Sequence, residues 1–278
     1  MIGGLLYAGR SITVPGVTVI PPAPAGPSWC SLGAADYRRR STSWVRQIIL
    51  HTTGGHWPQP VLPGAGPAGH ARQIADMWSG ADRGGGNQVH SAAQLVVDYD
   101  GSIACLCDLA HVAAYHAEMS NDWSIGIEMS TRPDGSIYQA TIDSTVALVQ
   151  VLCDVVGIPF QVHSASYHNE PLLRMEQTDA KGRHQFGGPD CVGIFGHRDN
   201  TSQRGRGDPG DAIYEALIAG GAEPLDFSTG EDLVVGAARQ TWLVQHGAKI
   251  PIDSQVGPVS LWAAKRQGFK AWRLVPTS

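Results

Sequence analysis

Long apolar runs are missing from this 278-residue sequence: no stretch reaches the roughly 18 consecutive apolar residues that a spanning helix needs. The amino terminus, MIGGLLYAGRSITVPG, has no basic stretch ahead of its short apolar run. It does not read as a secretory leader, and the expectation is a chain synthesised in the cytoplasm without membrane insertion. Positive charge is also short: 20 Lys and Arg stand against 25 Asp and Glu, for a net charge of −5. That balance argues against a nucleic-acid partner, which calls for a basic surface. Cysteine is sparse and odd in number, five in all, so a disulfide framework is not expected. Cys105 and Cys107, two apart as on one face of a strand, read as packing residues rather than metal ligands.

Glycine and proline are abundant, 34 and 18 residues, which predicts long irregular connections between short elements. With 42% hydrophobic and 16% charged residues, a sizeable core is within reach and global disorder is not expected. Apolar runs predict strands over Trp44–Leu50 and Trp123–Ser130, the second with Ile125 and Ile127 on one face and Gly126 and Glu128 on the other. A strand, turn and strand are predicted over Ala93–Asp98, Asp100-Gly101 and Ser102–Asp108, and a short strand over Cys191–Phe195. Helical spacing predicts Ala68–Ser79, with Ile74, Met77 and Trp78 on one face, Gln139–Val156 and Asp211–Ala219. A hairpin is expected at Ser11–Ile20. Strands interspersed with helices indicate an α/β fold with a mixed central sheet flanked by helices.

Eleven histidines are present, and most must be structural. Two stand out by context. His51 ends an apolar strand and is followed by Thr52-Thr53-Gly54-Gly55; His197 ends the CVGIFG run, and Asp208 follows just before a helix. Two imidazoles and a carboxylate form a three-ligand zinc set with a fourth position open to water. Such a site acidifies the water and polarises a carbonyl. Spacing alone equally fits polar residues that close strand ends. Glu128, among apolar neighbours, reads either as a general base or as half of an ion pair with an arginine. Arg206, two residues before Asp208, reads either as an oxyanion-stabilising cation or as an exposed loop residue.

Four segments together resemble the N-acetylmuramoyl-L-alanine amidase type 2 family, which includes the peptidoglycan recognition proteins. They are IILHTTGG at 48–55, LVVDYDGSI at 95–103, YHAEMSNDWSIGIEMS at 115–130 and GHRDNTSQRGRGDPG at 196–210. The resemblance spans about residues 44–219; the third and fourth segments are its specific part. It implies a peptidoglycan recognition protein-like amidase fold and one zinc ion per chain on His51, His197 and Asp208. It also implies a catalytic carboxylate at Glu128 and substrate-binding roles for His116 and Asn121, which match the region lining the muropeptide groove. Arg206 stands where the family often has lysine, keeping the charge but changing the donor geometry. Gln94, Tyr115 and Glu118 also depart from the family's usual residues.

The domain reading that follows is an extended leader at 1–43 packed on a catalytic domain at 44–219, a linker at 220–230 and a small helical module at 231–278. In that module Asp253, Gly257-Pro258, Trp262 and Gln267 resemble a three-helix peptidoglycan-binding repeat; the alternative is a helical cap on the catalytic domain. The resemblance implies zinc-dependent cleavage of the bond between N-acetylmuramic acid and L-alanine. Two rival readings are a non-catalytic recognition module and a zinc peptidase that cuts within the stem peptide. The substrate partner would be peptidoglycan or a muropeptide, reached after lysis or through a secretion or injection system. That route leaves room for a delivery apparatus or an immunity protein as further partners.

Overall fold

A computed structural model describes residues 3–33, 37–40, 45–53, 69–78, 91–117, 120–162, 177–178, 184–185, 192–200 and 208–224. Arg206, the expected module at 231–278 and most of 54–86 and 157–190 lie outside these residues. In chain order the elements begin with β1 (Leu5–Tyr7), β2 (Arg10–Ile12), β3 (Val19–Ile20), β4 (Tyr37–Arg39), β5 (Gln47–Thr52) and α1 (Gly69–Trp78). Next come β6 (Leu95–Val97), β7 (Ile103–Cys105), β8 (Val112–Ala114), β9 (Ser124–Met129) and α2 (Gln139–Val156). Then follow β10 (Gln161–Val162), β11 (Gln177–Thr178), β12 (His184–Gln185), β13 (Gly193–Gly196), α3 (His197–Asn200), α4 (Asp211–Ala219) and β14 (Glu223–Pro224).

Eight strands form one sheet in the order β14-β10-β13-β5-β9-β6-β7-β3. The strands from β14 to β6 run parallel; β7 is antiparallel to β6, and β3 is parallel to β7. The mixed sheet expected from the sequence is thus observed. β5 sits near its centre, and Ile48, Ile49 and Leu50 are fully buried. A strand covered on both faces needs such an uninterrupted apolar run.

Alternation divides the side chains between two faces. On one, Ile48, Leu50, Leu95, Val97, Ile125, Ile127 and Ile194 pack with Leu148, Val149 and Leu152 of α2 and Ile213, Tyr214 and Leu217 of α4. Each such side chain contributes about 1.5–3 kcal/mol by leaving water. On the other, Val96 and Ala104 pack with Ala71, Ile74, Ala75 and Trp78 of α1. α2 is long and apolar enough to cross a membrane by length and composition; here its Leu148, Val149 and Leu152 lie in the core beneath the sheet. It stops at Gly157, whose φ of 79° is left-handed and whose N–H bonds back to the Cys153 carbonyl.

Several details differ from the sequence reading. The hairpin lies at Leu5–Ile12 rather than Ser11–Ile20. Its turn, Ala8-Gly9, has positive φ at both residues (50° and 74°), the geometry that suits a two-residue hairpin. The Asp108 carboxylate accepts both turn N–H groups, at 2.9 and 2.8 Å. Second, β5 starts later and runs on through His51 to Thr52, because β9 pairs with it to that point. Third, Glu223–Pro224, within the linker expected at 220–230, pairs with β10 as the edge strand, helped by Gln161 Nε2 donating to Glu223 Oε2 at 2.6 Å.

Candidate metal centre

The register of the three central strands assembles the site. His51 of β5 is partnered with Glu128 of β9, and Glu128 in turn with Val96 of β6. Partners across parallel strands point the same way, so His51, Glu128 and Gly126 share the face that carries α1, not the face packed by α2 and α4. Phe195 of β13 is partnered with Ile49, which puts it on this same face, and His197 follows two residues later, where the strand gives way to α3.

Asp208 is brought in by the start of the next helix. The Arg198 backbone N–H donates to the Asp208 carbonyl at 2.8 Å. The Arg198 guanidinium donates to Asp211 at 2.8 Å and lies 4.6 Å from the centre of the Tyr214 ring. Gly196 allows this approach: a Cβ there would stand 2.0 Å from the Tyr214 hydroxyl and 2.6 Å from Pro209 Cδ.

Donor atoms of His51, His197 and Asp208 all lie within 4.8 Å of one another. His51 Nδ1 is 2.9 Å from His197 Nδ1, which is 3.0 Å from Asp208 Oδ2. The other Asp208 oxygen, Oδ1, accepts the Thr52 N–H at 3.0 Å, which aims Oδ2 at the histidines. Zinc with bonds of about 2.0–2.1 Å holds tetrahedral ligands about 3.3 Å apart. The His51–His197 and His197–Asp208 separations reach that value after opening by a few tenths of an ångström. Both histidines are buried, and the carboxylate is half-buried.

Behind His51 lies His116, both of whose ring nitrogens are engaged: Nδ1 with His51 Nε2 at 2.9 Å, and Nε2 with Ser124 Oγ at 3.1 Å. Burial holds its pKa well below the usual histidine value, with the nearby His197 and Arg40 acting the same way. The ring rests on Gly126, where a Cβ would lie 2.6 Å from Nδ1. Asn121 Oδ1 accepts the backbone N–H groups of His116 and Ala117, at 3.0 and 2.7 Å.

Several residues of this scaffold do not stand out in the sequence. Arg40 is 7% exposed, and its guanidinium donates to the carbonyls of Leu109, Val112, Asn121, Asp122 and Ser124. Burial lowers its pKa to about 10. Gln94 donates to the Val112 and Ser124 carbonyls and accepts the Gly126 N–H at 2.7 Å, bracing β8 against β9. Asp98 accepts the His70 and Ala71 N–H groups, both at 3.0 Å, and so caps α1 from another element. Burial pushes its carboxyl up to about 6. Gln94 was marked only as a departure from the family's usual residue, and Ser124 only by sharing the strand parity of Gly126 and Glu128. Cys30, Cys105, Cys107 and Cys153 are free thiols, and β7 ends at Cys105, so no strand face pairs Cys105 with Cys107.

A family model described as N-acetylmuramoyl-L-alanine amidase matches residues 40–211, more than half of the chain. No curated protein matches it. Among solved structures, a selenomethionine derivative of AmpD is similar at 17% identity and a TM-score of 0.42, covering 67% of this chain and 92% of that one. The Staphylococcus aureus hydrolase AmiA, solved in complex with its ligand, is similar at 11% identity and a TM-score of 0.35, covering 83% of this chain and 78% of that one.

Proposed function

We propose that this chain, which belongs to the N-acetylmuramoyl-L-alanine amidase family, is a zinc-dependent enzyme that hydrolyses the amide between N-acetylmuramic acid and L-alanine in peptidoglycan. The observation that carries the reading is the convergence of His51 and His197, at the ends of neighbouring strands, with Asp208 just ahead of α4, and with Glu128 in register beside His51. These three residues would hold the zinc, which when bound supplies an acidified water and polarises the scissile carbonyl.

The chain's own groups do the rest. Glu128 takes the proton of the attacking water and returns it to the departing L-alanine amine. Arg206, which lies outside the described residues, would support the negative charge on the carbonyl oxygen. Thr52 holds the Asp208 carboxylate in place through its backbone N–H. The family resemblance implies substrate-binding roles for His116 and Asn121. Because both His116 ring nitrogens and Asn121 Oδ1 are engaged within the protein, we assign them to shaping the site from behind. Residues 231–278 would hold the enzyme on the wall, reached after lysis or delivery.

Asp208→Ala tests the assignment. The variant is expected to lose bound zinc, measured by metal analysis after dialysis, together with release of stem peptides. Full wall-lytic activity in that variant without zinc would overturn the reading.

A further inference from the structure

A chain of hydrogen bonds leads away from His51 on the side opposite Asp208. His51 Nε2 meets His116 Nδ1 at 2.9 Å, His116 Nε2 meets Ser124 Oγ at 3.1 Å, and Ser124 Oγ donates to the Ser120 carbonyl at 2.6 Å. The last link sets the direction of all the others. A carbonyl only accepts, so the single hydroxyl proton of Ser124 is committed to Ser120. Ser124 Oγ can then only accept from His116 Nε2–H. A neutral imidazole carries one N–H, so His116 Nδ1 bears a lone pair and accepts from His51 Nε2–H. His51 Nδ1 is left unprotonated, with its lone pair directed at His197 Nδ1, 2.9 Å away, where the three donors converge.

We infer that His116, backed by Ser124, is a positioning residue that holds His51 in the tautomer whose Nδ1 carries the lone pair that a metal ion would take. The surroundings fix this geometry rather than merely permit it. Gly126 gives the ring room, since a Cβ would stand 2.6–2.9 Å from three ring atoms. Asn121 pins the His116 backbone. Arg40 and Gln94 hold the Ser124 carbonyl, both from buried positions. A metal-bound histidine is generally oriented through its second nitrogen in this way, and loss of the partner costs about 10–100-fold in metal affinity or activity. The usual partner is a carboxylate, a carbonyl or water; here it is a second imidazole, itself aligned by a serine.

The inference rests on the zinc reading above, and its test separates the two. Protein labelled with nitrogen-15 in histidine reports each ring's tautomer by two-dimensional NMR, with and without zinc, and chelator competition gives the zinc dissociation constant. In the metal-free wild type, His51 and His116 are both expected as Nε2–H tautomers. His116→Leu is expected to weaken zinc binding about 10–100-fold. His116→Gln, whose carbonyl can accept from His51, should recover most of that loss. Ser124→Ala removes two buried hydrogen bonds and lowers the metal-free melting temperature somewhat, but the chain should still fold; it should weaken zinc binding about 10-fold and mix the His116 tautomers. An Nδ1–H tautomer at His51 in the wild type, or wild-type zinc affinity in both His116→Leu and Ser124→Ala, would overturn the inference while leaving zinc binding standing. A wild type that binds no zinc would overturn the proposed function and this inference with it.

Discussion

His51 on β5 and Glu128 on β9 are register partners on the same face of the sheet. One carries a donor atom of the His51–His197–Asp208 set, and the other places a carboxylate one strand away. The pairing of two central strands, not a loop, thus sets the proposed ligand His51 beside the proposed general base Glu128.

Glu128→Gln therefore separates proton transfer from metal binding. We expect the amidase rate to fall by about 10²–10⁴, with zinc content and melting temperature close to wild type. Loss of zinc in this variant would show that Glu128 belongs to the ligand set instead.

Arg40 is the residue whose removal should cost the fold most near the site. Its guanidinium serves five carbonyls from a buried position. Several of these carbonyls would lose their partner in Arg40→Met, at about 1–3 kcal/mol for each one left buried and unpaired. A loss of about 3 kcal/mol or more is expected in urea titration, on the order of 10 °C in Tm. A change below about 1 kcal/mol would mean that water replaces the guanidinium freely.

Asp98 gives the fold a pH dependence of known sign. Burial pushes its carboxyl up from 3.8 to about 6. Between about pH 4 and 6 the folded chain keeps a proton that the unfolded chain has released, so this group's contribution to stability falls as pH rises through that window. Asp98→Asn cannot ionise. The stability difference between variant and wild type should shift in the variant's favour by about 2–3 kcal/mol from pH 3.5 to 7. A difference that is flat with pH would contradict the raised value.

Legibility in the sequence followed the locality of the signal. α2 and α4 take their expected bounds, Gln139–Val156 and Asp211–Ala219, because their helical spacing is complete within the segment and a glycine follows each. The faces of β9 were legible from strict alternation of Ile125 and Ile127 with Gly126 and Glu128. The hairpin was not, because its Ala8-Gly9 turn is held by Asp108, about 100 residues away in sequence. Arg40 was hidden for the same reason: its partners lie at 109–124, and nothing around position 40 marks it as buried. His51, His197 and Asp208 stood out by their places at strand ends and ahead of a helix, but only ordered motifs shared with a family joined them into one set, since their separations of 146 and 11 residues carry little pattern of their own.

The central claim concerns one bond and one metal, and product analysis on purified sacculi tests both together. With zinc present, mass spectrometry should find intact stem peptides with a free L-alanine amino terminus and glycan strands bearing unsubstituted lactyl carboxylates. A chelator should abolish both products, and added zinc should restore them. Stems shortened from within, cut glycan strands, or undiminished release in the presence of chelator would contradict the proposal.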